Sequence, residues 1–175
     1  MFKEPRAESL FDWSMLGDIE LGRPNLGPGT VVAVYRLMQF TLRDALIQEF
    51  GVEAAERIFY KAGEKAGQEL FKNLINEKSD FTLFIQELEE LLTKLKIGIL
   101  RIEKSDLDKL EFTLTVAEDL DCSGLPISDE TICTYDEGFI AGLLKEFTGK
   151  DFNVKEVDCW CSGDRVCRFE VKPVA

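Results

Sequence analysis

The 175 residues contain no histidine. Within this chain that excludes a Ser-His-Asp or Cys-His nucleophile, a His-ligated haem and a His-based proton relay. Basic residues are scarce, with 21 Lys and Arg against 33 Asp and Glu and a formal net charge of −12. A surface of that sign repels nucleic acid and anionic membrane, and no basic cluster interrupts it. Neither direct nucleic-acid binding nor membrane binding is expected. No apolar run approaches the roughly 18 residues of a membrane span. Phosphate-cradling fingerprints are missing too. The glycine-rich stretch GRPNLGPG has neither the GxGxxG nor the GxxxxGK[ST] order and reads as a connector. No secretory signal opens the chain, so a cytoplasmic location with reduced thiols is expected.

What is present is apolar residues at 45%, enough for the core of one domain spanning 1–175. Its parts are an N-terminal arm and loop (1–29), a helical part (30–97) and a part carrying strands, a helix and most of the cysteines (98–175). In the arm, Phe11, Trp13, Met15 and Leu16 cluster, and Ile19 to Leu21 reads as a short strand.

Thr30 is placed to cap a helix to about Phe50, with Val34, Leu37, Met38, Leu42, Ala45 and Leu46 as its apolar face. A second helix covers Glu53 to about Asn76. Its small residues Ala62, Gly63, Ala66 and Gly67 imply close approach of another helix, or of a ligand. Asp80 starts a third helix to about Leu95, with Glu87, Glu89 and Glu90 on a solvated side. Alternation over Ile99–Glu103 and Leu110–Val116 gives a hairpin. A capping-box pair, Thr134 and Glu137, opens a helix to about Thr148, closed by Gly149. Helices followed by two hairpins make an α+β fold: an antiparallel sheet of about four strands with helices mainly on one face.

Four of the five cysteines fall between Cys133 and Cys167. Cys133 precedes the first turn of the fourth long helix, where the helix dipole favours a thiolate. Cys159 and Cys167 stand four residues either side of Gly163 and face one another across the second hairpin. Zinc takes four ligands tetrahedrally and accepts Cys together with Glu; Glu156 is the nearest acidic candidate. Spacing alone fits no standard zinc-finger pattern, so a metal, a disulfide and ordinary buried cysteines all stay open. Cys122, in an acidic loop, reads as incidental.

The stretch resembles the C-terminal half of the 4-vinyl reductase family. Its small-ligand-binding domains also serve as sensor modules in phenol-responsive bacterial activators, and they resemble TRAPP trafficking subunits and haem nitric-oxide sensors in fold. In the phenol sensors three cysteines and a glutamate hold a structural zinc. Cys133, Glu156, Cys159 and Cys167 stand at the matching separations, with 22, two and seven residues between them. The resemblance therefore implies structural Zn²⁺ at these four residues, with Cys161 as alternate ligand and Cys122 outside the set.

It further implies a regulatory module holding a small apolar or aromatic ligand between helices and sheet. Phe59, Tyr60, Gly63 and Phe112 are the candidate pocket residues. The phenol sensors orient the ligand hydroxyl with a His and a Trp. This chain has no His, and Trp13 and Trp160 lie elsewhere, so a more apolar ligand is expected. A homodimer is expected from the relatives and the apolar arm. The alternatives are a tetrapyrrole-related vinyl reductase or its accessory binder, and a thiol redox switch. A reductase lacks an evident electron source here, because neither a dinucleotide fingerprint nor an iron–sulfur pattern is found.

Overall fold

The structure is a computed structural model that describes residues 7–174. After a 3₁₀ turn at Trp13–Leu16 come helices α1 (Ile19–Gly22), α2 (Val32–Phe50), α3 (Val52–Leu74) and α4 (Phe81–Lys94). Strands β1 (Ile99–Asp106) and β2 (Glu111–Ala117) precede α5 (Thr134–Thr148), β3 (Phe152–Asp158) and β4 (Cys167–Pro173). The four strands form one antiparallel sheet in the order β1-β2-β4-β3. The fold is α+β, as the alternation of apolar residues implies. Phe152, Val154, Phe169 and Val171 are buried while their neighbours face outward. No helix among the described residues is long and apolar enough to cross a membrane.

Helices α3 and α5 pack face to face through reciprocal glycines. A Cβ added at Gly63 would lie 2.0 Å from the Tyr135 carbonyl oxygen, and one at Gly138 would lie 1.9 Å from that of Tyr60. Gly67 and Gly142 repeat the arrangement one turn on, each within 2.1 Å of a backbone oxygen of the other helix. The helix-packing reading of the small-residue stripe is therefore the one realised. Behind α3, the rings of Phe71, Phe81, Phe84, Phe112 and Phe147 interlock, with Phe84 stacked on Phe147 at 4.7 Å.

Several local expectations are corrected. Ile19–Gly22 is a helical turn capped by Asp18, not a strand. Thr30 does not cap α2; Val31 holds that position without a side-chain bond. Cys133, not Thr134, is the N-cap of α5, and Glu137 does not close a capping box there. Glu87 leaves the solvated side of α4 to accept the backbone N–H groups of Asn76 and Glu77, closing the turn from α3.

The largest difference lies in α2. Its apolar face points outward: Leu37 is 67% exposed and Met38 58%. Its polar residues face the protein instead, because the loop after β2 offers them bonds. The Tyr35 hydroxyl and the Gln39 amide donate to the two Asp121 carboxylate oxygens, each at 2.7 Å. Arg36 donates to the carbonyl oxygens of Leu120 and Ser123, and Arg43 to that of Ile132. A guanidinium fork suits a turn whose carbonyls point outward from the chain.

Candidate metal centre and adjoining cavities

Four sulfur atoms converge where the loop after β2, the start of α5 and the β3–β4 hairpin meet. Cys122, Cys133, Cys159 and Cys167 are each at most 1% exposed, and their Sγ atoms all lie within 4.8 Å of one another. Cys133 Sγ is 3.9 Å from Cys159 Sγ and 3.8 Å from Cys167 Sγ, and Cys122 Sγ is 3.1 Å from Cys167 Sγ. A tetrahedron of sulfurs around zinc at the usual bond length has edges of about 3.8 Å. The cluster could hold a metal ion, and its donor set suits one that prefers thiolate.

Each sulfur is positioned by its own backbone. Asp119 Oδ1 accepts the N–H groups of Asp121 and Cys122, curling the loop so that Cys122 points inward. Arg36 then holds the outside of the same loop. Cys133 sits at the α5 N-terminus, where the dipole favours negative sulfur. Cys159 precedes a short 3₁₀ turn, Trp160–Ser162, and the Ser162 hydroxyl accepts its N–H at 3.0 Å. Gly163 ends that turn with φ of +99°, which brings the chain back into β4 at Cys167.

Glu156 lies beside the cluster rather than among the four sulfurs. Its Oε2 accepts the Cys133 N–H at 3.0 Å, and its own N–H donates to Glu137 Oε1 at 2.8 Å. The start of α5 and the edge strand β3 are thus tied in both directions, and this is where Glu137 goes instead of into a capping box. Glu156 Oε1 is buried and finds no partner among the described residues. Burial holds the Glu156 carboxyl up at about 8. Cys159 is drawn below the ordinary thiol value by its neighbours Cys122, Cys133 and Cys167, while Cys133 is pushed above it by Cys122 first and then Cys159. Among four packed thiols one ionises readily, and its charge opposes the next.

Cys161, the alternate ligand by sequence, is buried but outside the cluster, and burial pushes its thiol up to about 12. Cys122 is the residue that sequence reasoning missed. Its one legible signal is that five cysteines in a reduced chain leave a fourth thiol available beside the predicted three.

The candidate pocket residues do not converge. Gly63 is pressed against the α5 backbone, and the Tyr60 hydroxyl donates to the Phe152 carbonyl oxygen. Phe59 borders a cavity of about 180 Å³ between α2 and α3, while Phe112 stacks on Phe81 in the core. A separate enclosed space of about 40 Å³ lies between α4, α5 and the sheet, lined mainly by Phe84, Leu88, Leu100, Leu114, Ile140 and Leu143. Asp119 and Asp136 close one end of it, and both carboxylates lie within 4.8 Å of Cys133 Sγ.

Residues 112–173, which hold all four cluster cysteines, match the model of the vinyl-4-reductase domain family. The chain carries a vinyl-4-reductase domain. An uncharacterized protein of Methanocaldococcus jannaschii, MJ0150, is 30% identical over 122 residues; the match covers 70% of this chain and 65% of that protein, just under two thirds of its length. A vinyl-4-reductase family protein from the same organism superposes with a TM-score of 0.62 at 22% identity, covering 96% of this chain and 100% of that one. The phenol-responsive sensory domain of the transcription activator PoxR, solved with phenol, gives a TM-score of 0.62 at 20% identity, over 82% of this chain and 75% of that one. The fold of the vinyl-4-reductase domain extends to a trafficking protein particle complex subunit 3 from Naegleria fowleri, covalently bound to palmitic acid (TM-score 0.65, 14% identity, 82% and 95% covered). It extends also to an H-NOX protein from S. oneidensis (TM-score 0.52, 14% identity, 78% and 74% covered).

Proposed function

We propose that this vinyl-4-reductase domain is a small-molecule-binding regulatory module whose thiolate cluster holds a structural zinc. The observation that carries the reading is the shared wall between cavity and cluster. Asp119 and Asp136 close the apolar space between α4, α5 and the sheet, and they abut Cys133. A small aromatic or apolar ligand entering there changes the packing against the α5 N-terminus that the metal pins. At about 40 Å³ the space is well below the ~150 Å³ that admits benzene, so binding moves side chains of α4 outward.

The zinc ligands in this reading are Cys133, Cys159 and Cys167, with Cys122 as the fourth. Four thiolates leave no position for water or substrate, so the zinc is structural. Glu156 then anchors Cys133 through its backbone, and its free Oε1 makes it the competitor for the fourth place. The outward apolar face of α2 is the surface on which a second copy of the chain docks.

Metal content per chain, measured on protein purified without chelator, is the test, followed by calorimetric titration with phenol and more apolar aromatics. About one zinc per chain and a ligand whose binding is lost with the metal are expected. Well-folded protein without zinc, or zinc protein that answers none of the ligands, overturns the reading.

One observation favours a thiol switch as a second reading: Cys122 and Cys167 already touch, at 3.1 Å. Peroxide would take two electrons and two protons from the pair, forming their disulfide and water. A mass loss of two hydrogens with metal release, reversed by a thiol, is its signature.

A further inference from the structure

On the other side of Asp136 lies a wider cavity, of about 300 Å³, that the function proposed above does not use. Phe11 and Trp13 of the N-terminal arm, Tyr35 of α2, Tyr135 and Phe139 of α5 give it five aromatic walls. Its acidic groups are Glu69, Asp121 and Asp136, and no lysine or arginine lines it. The arm is fixed over it by one bond, the Trp13 N–H donating to Glu69 Oε2 at 3.0 Å.

Two of the three carboxylates are satisfied. Glu69 also pairs with Lys65 at 2.9 Å, and Asp121 takes the Tyr35 and Gln39 donors described above. Asp136 is different. Its Oδ2 is fully enclosed and finds no hydrogen-bond partner among the described residues. A buried carboxylate oxygen without a donor is costly, and a charged donor offsets that cost better than a neutral one. Aromatic faces around the same space attract a cation through their ring quadrupoles. The lining therefore combines an open acceptor, aromatic walls and negative charge without a competing basic side chain.

We propose that this cavity binds a small organic ammonium compound, an arylalkyl- or alkylamine, with the ammonium on Asp136 and its apolar part between Trp13 and Tyr135. The site is distinct from the apolar space between α4 and the sheet, and it does not depend on the metal reading. The two spaces share Ile97, Asp136 and Phe139 as a common wall. Its size, about twice the ~150 Å³ that holds benzene, suits a single ring with a short chain.

Calorimetric titration of the full chain with phenethylammonium and with 2-phenylethanol, a neutral molecule of nearly the same shape, tests the proposal. The ammonium is expected to bind at least roughly tenfold more tightly than the alcohol, as an ion pair with cation–π support requires. Asp136→Asn should bring the ammonium down to the level of the alcohol, and Trp13→Leu should weaken it at least about threefold with the melting temperature held. Because Asp136 is close to the thiolate cluster, the Asn variant can fail to fold; Trp13→Leu, on the arm, then decides. Equal affinity for the two compounds, no binding of the ammonium to wild-type protein, or unchanged affinity in a folded Trp13→Leu variant overturns the proposal.

Discussion

Cys122 Sγ lies 3.1 Å from Cys167 Sγ although 45 positions separate the two along the chain. Cys122 arrives there through Asp119, which curls the loop from inside, and Arg36, which holds it from outside. If the cluster binds zinc through four sulfurs, Cys122→Ser is as harmful as Cys133→Ser. Each should lower the melting temperature of the zinc form by roughly 6–12 °C, corresponding to ~3 kcal/mol for a chain of this size. Cys161→Ser should change it by a degree or two at most. Thermal melts and the visible absorption of the cobalt-substituted protein check this together. Retained metal in Cys122→Ser with loss in Glu156→Gln would hand the fourth place to Glu156.

The pH dependence of the metal-free protein follows from Glu156. A carboxyl near 4.5 when unfolded and held at about 8 when folded contributes stability that is complete below the unfolded value. That contribution is lost as pH rises through the folded value. Between pH 5 and 8 the metal-free protein should therefore melt progressively lower, and Glu156→Gln should flatten part of the slope. The zinc form should do the opposite over the same range, since zinc displaces thiol protons and binds more tightly as pH rises. Melting curves at half-unit intervals, with and without chelator, give both signs; parallel slopes would contradict the assignment.

The glycine contact between α3 and α5 makes a sharp mutational contrast. Gly138→Ala places a methyl group 1.9 Å from the Tyr60 carbonyl oxygen, and backbone cannot yield as a side-chain tip can. The helices must separate, at a cost of ~1–3 kcal/mol or more. Gly29→Ala meets nothing within 4 Å and should be neutral. Chemical denaturation of the two variants beside wild type is sufficient.

The outward face of α2 gives a prediction on assembly. Leu37→Glu removes an exposed apolar side chain from that face. The wild-type chain should run as a dimer in light scattering at micromolar concentration, and the variant as a monomer with nearly the same secondary structure. A monomeric wild type would remove the dimer reading and leave the face without an occupant.

The helices α3, α4 and α5 are legible in the sequence because each buries one stripe of apolar residues on its own account, and period alone records that. Asp80, accepting the Leu83 N–H, and Gly149, left-handed at φ of +74°, bound α4 and α5 where their chemistry says they should. The capping box at Thr134 fails for a reason outside the local pattern: Glu137 meets the free edge of β3 and is worth more to Glu156 than to its own helix end. In α2 the apolar residues do share a stripe, but it is the outward one. Periodicity fixes which residues share a face, not which body covers that face.

The same division holds at the site. Cys133, Cys159 and Cys167 can be brought together on paper, because a helix start and a two-stranded hairpin have known geometry. Cys122 cannot, because its position depends on how the acidic stretch from Glu118 to Asp129 folds against α2. Local sequence determined the elements, the thiol-rich character of the C-terminal part and the absence of histidine chemistry. Only the tertiary structure decided that four sulfurs meet, that Glu156 stands beside them, and that Asp136 is left between two cavities with an oxygen unpaired. Those facts are set by long-range packing and by competition for hydrogen bonds between segments far apart in the chain, and no local pattern encodes which competitor wins.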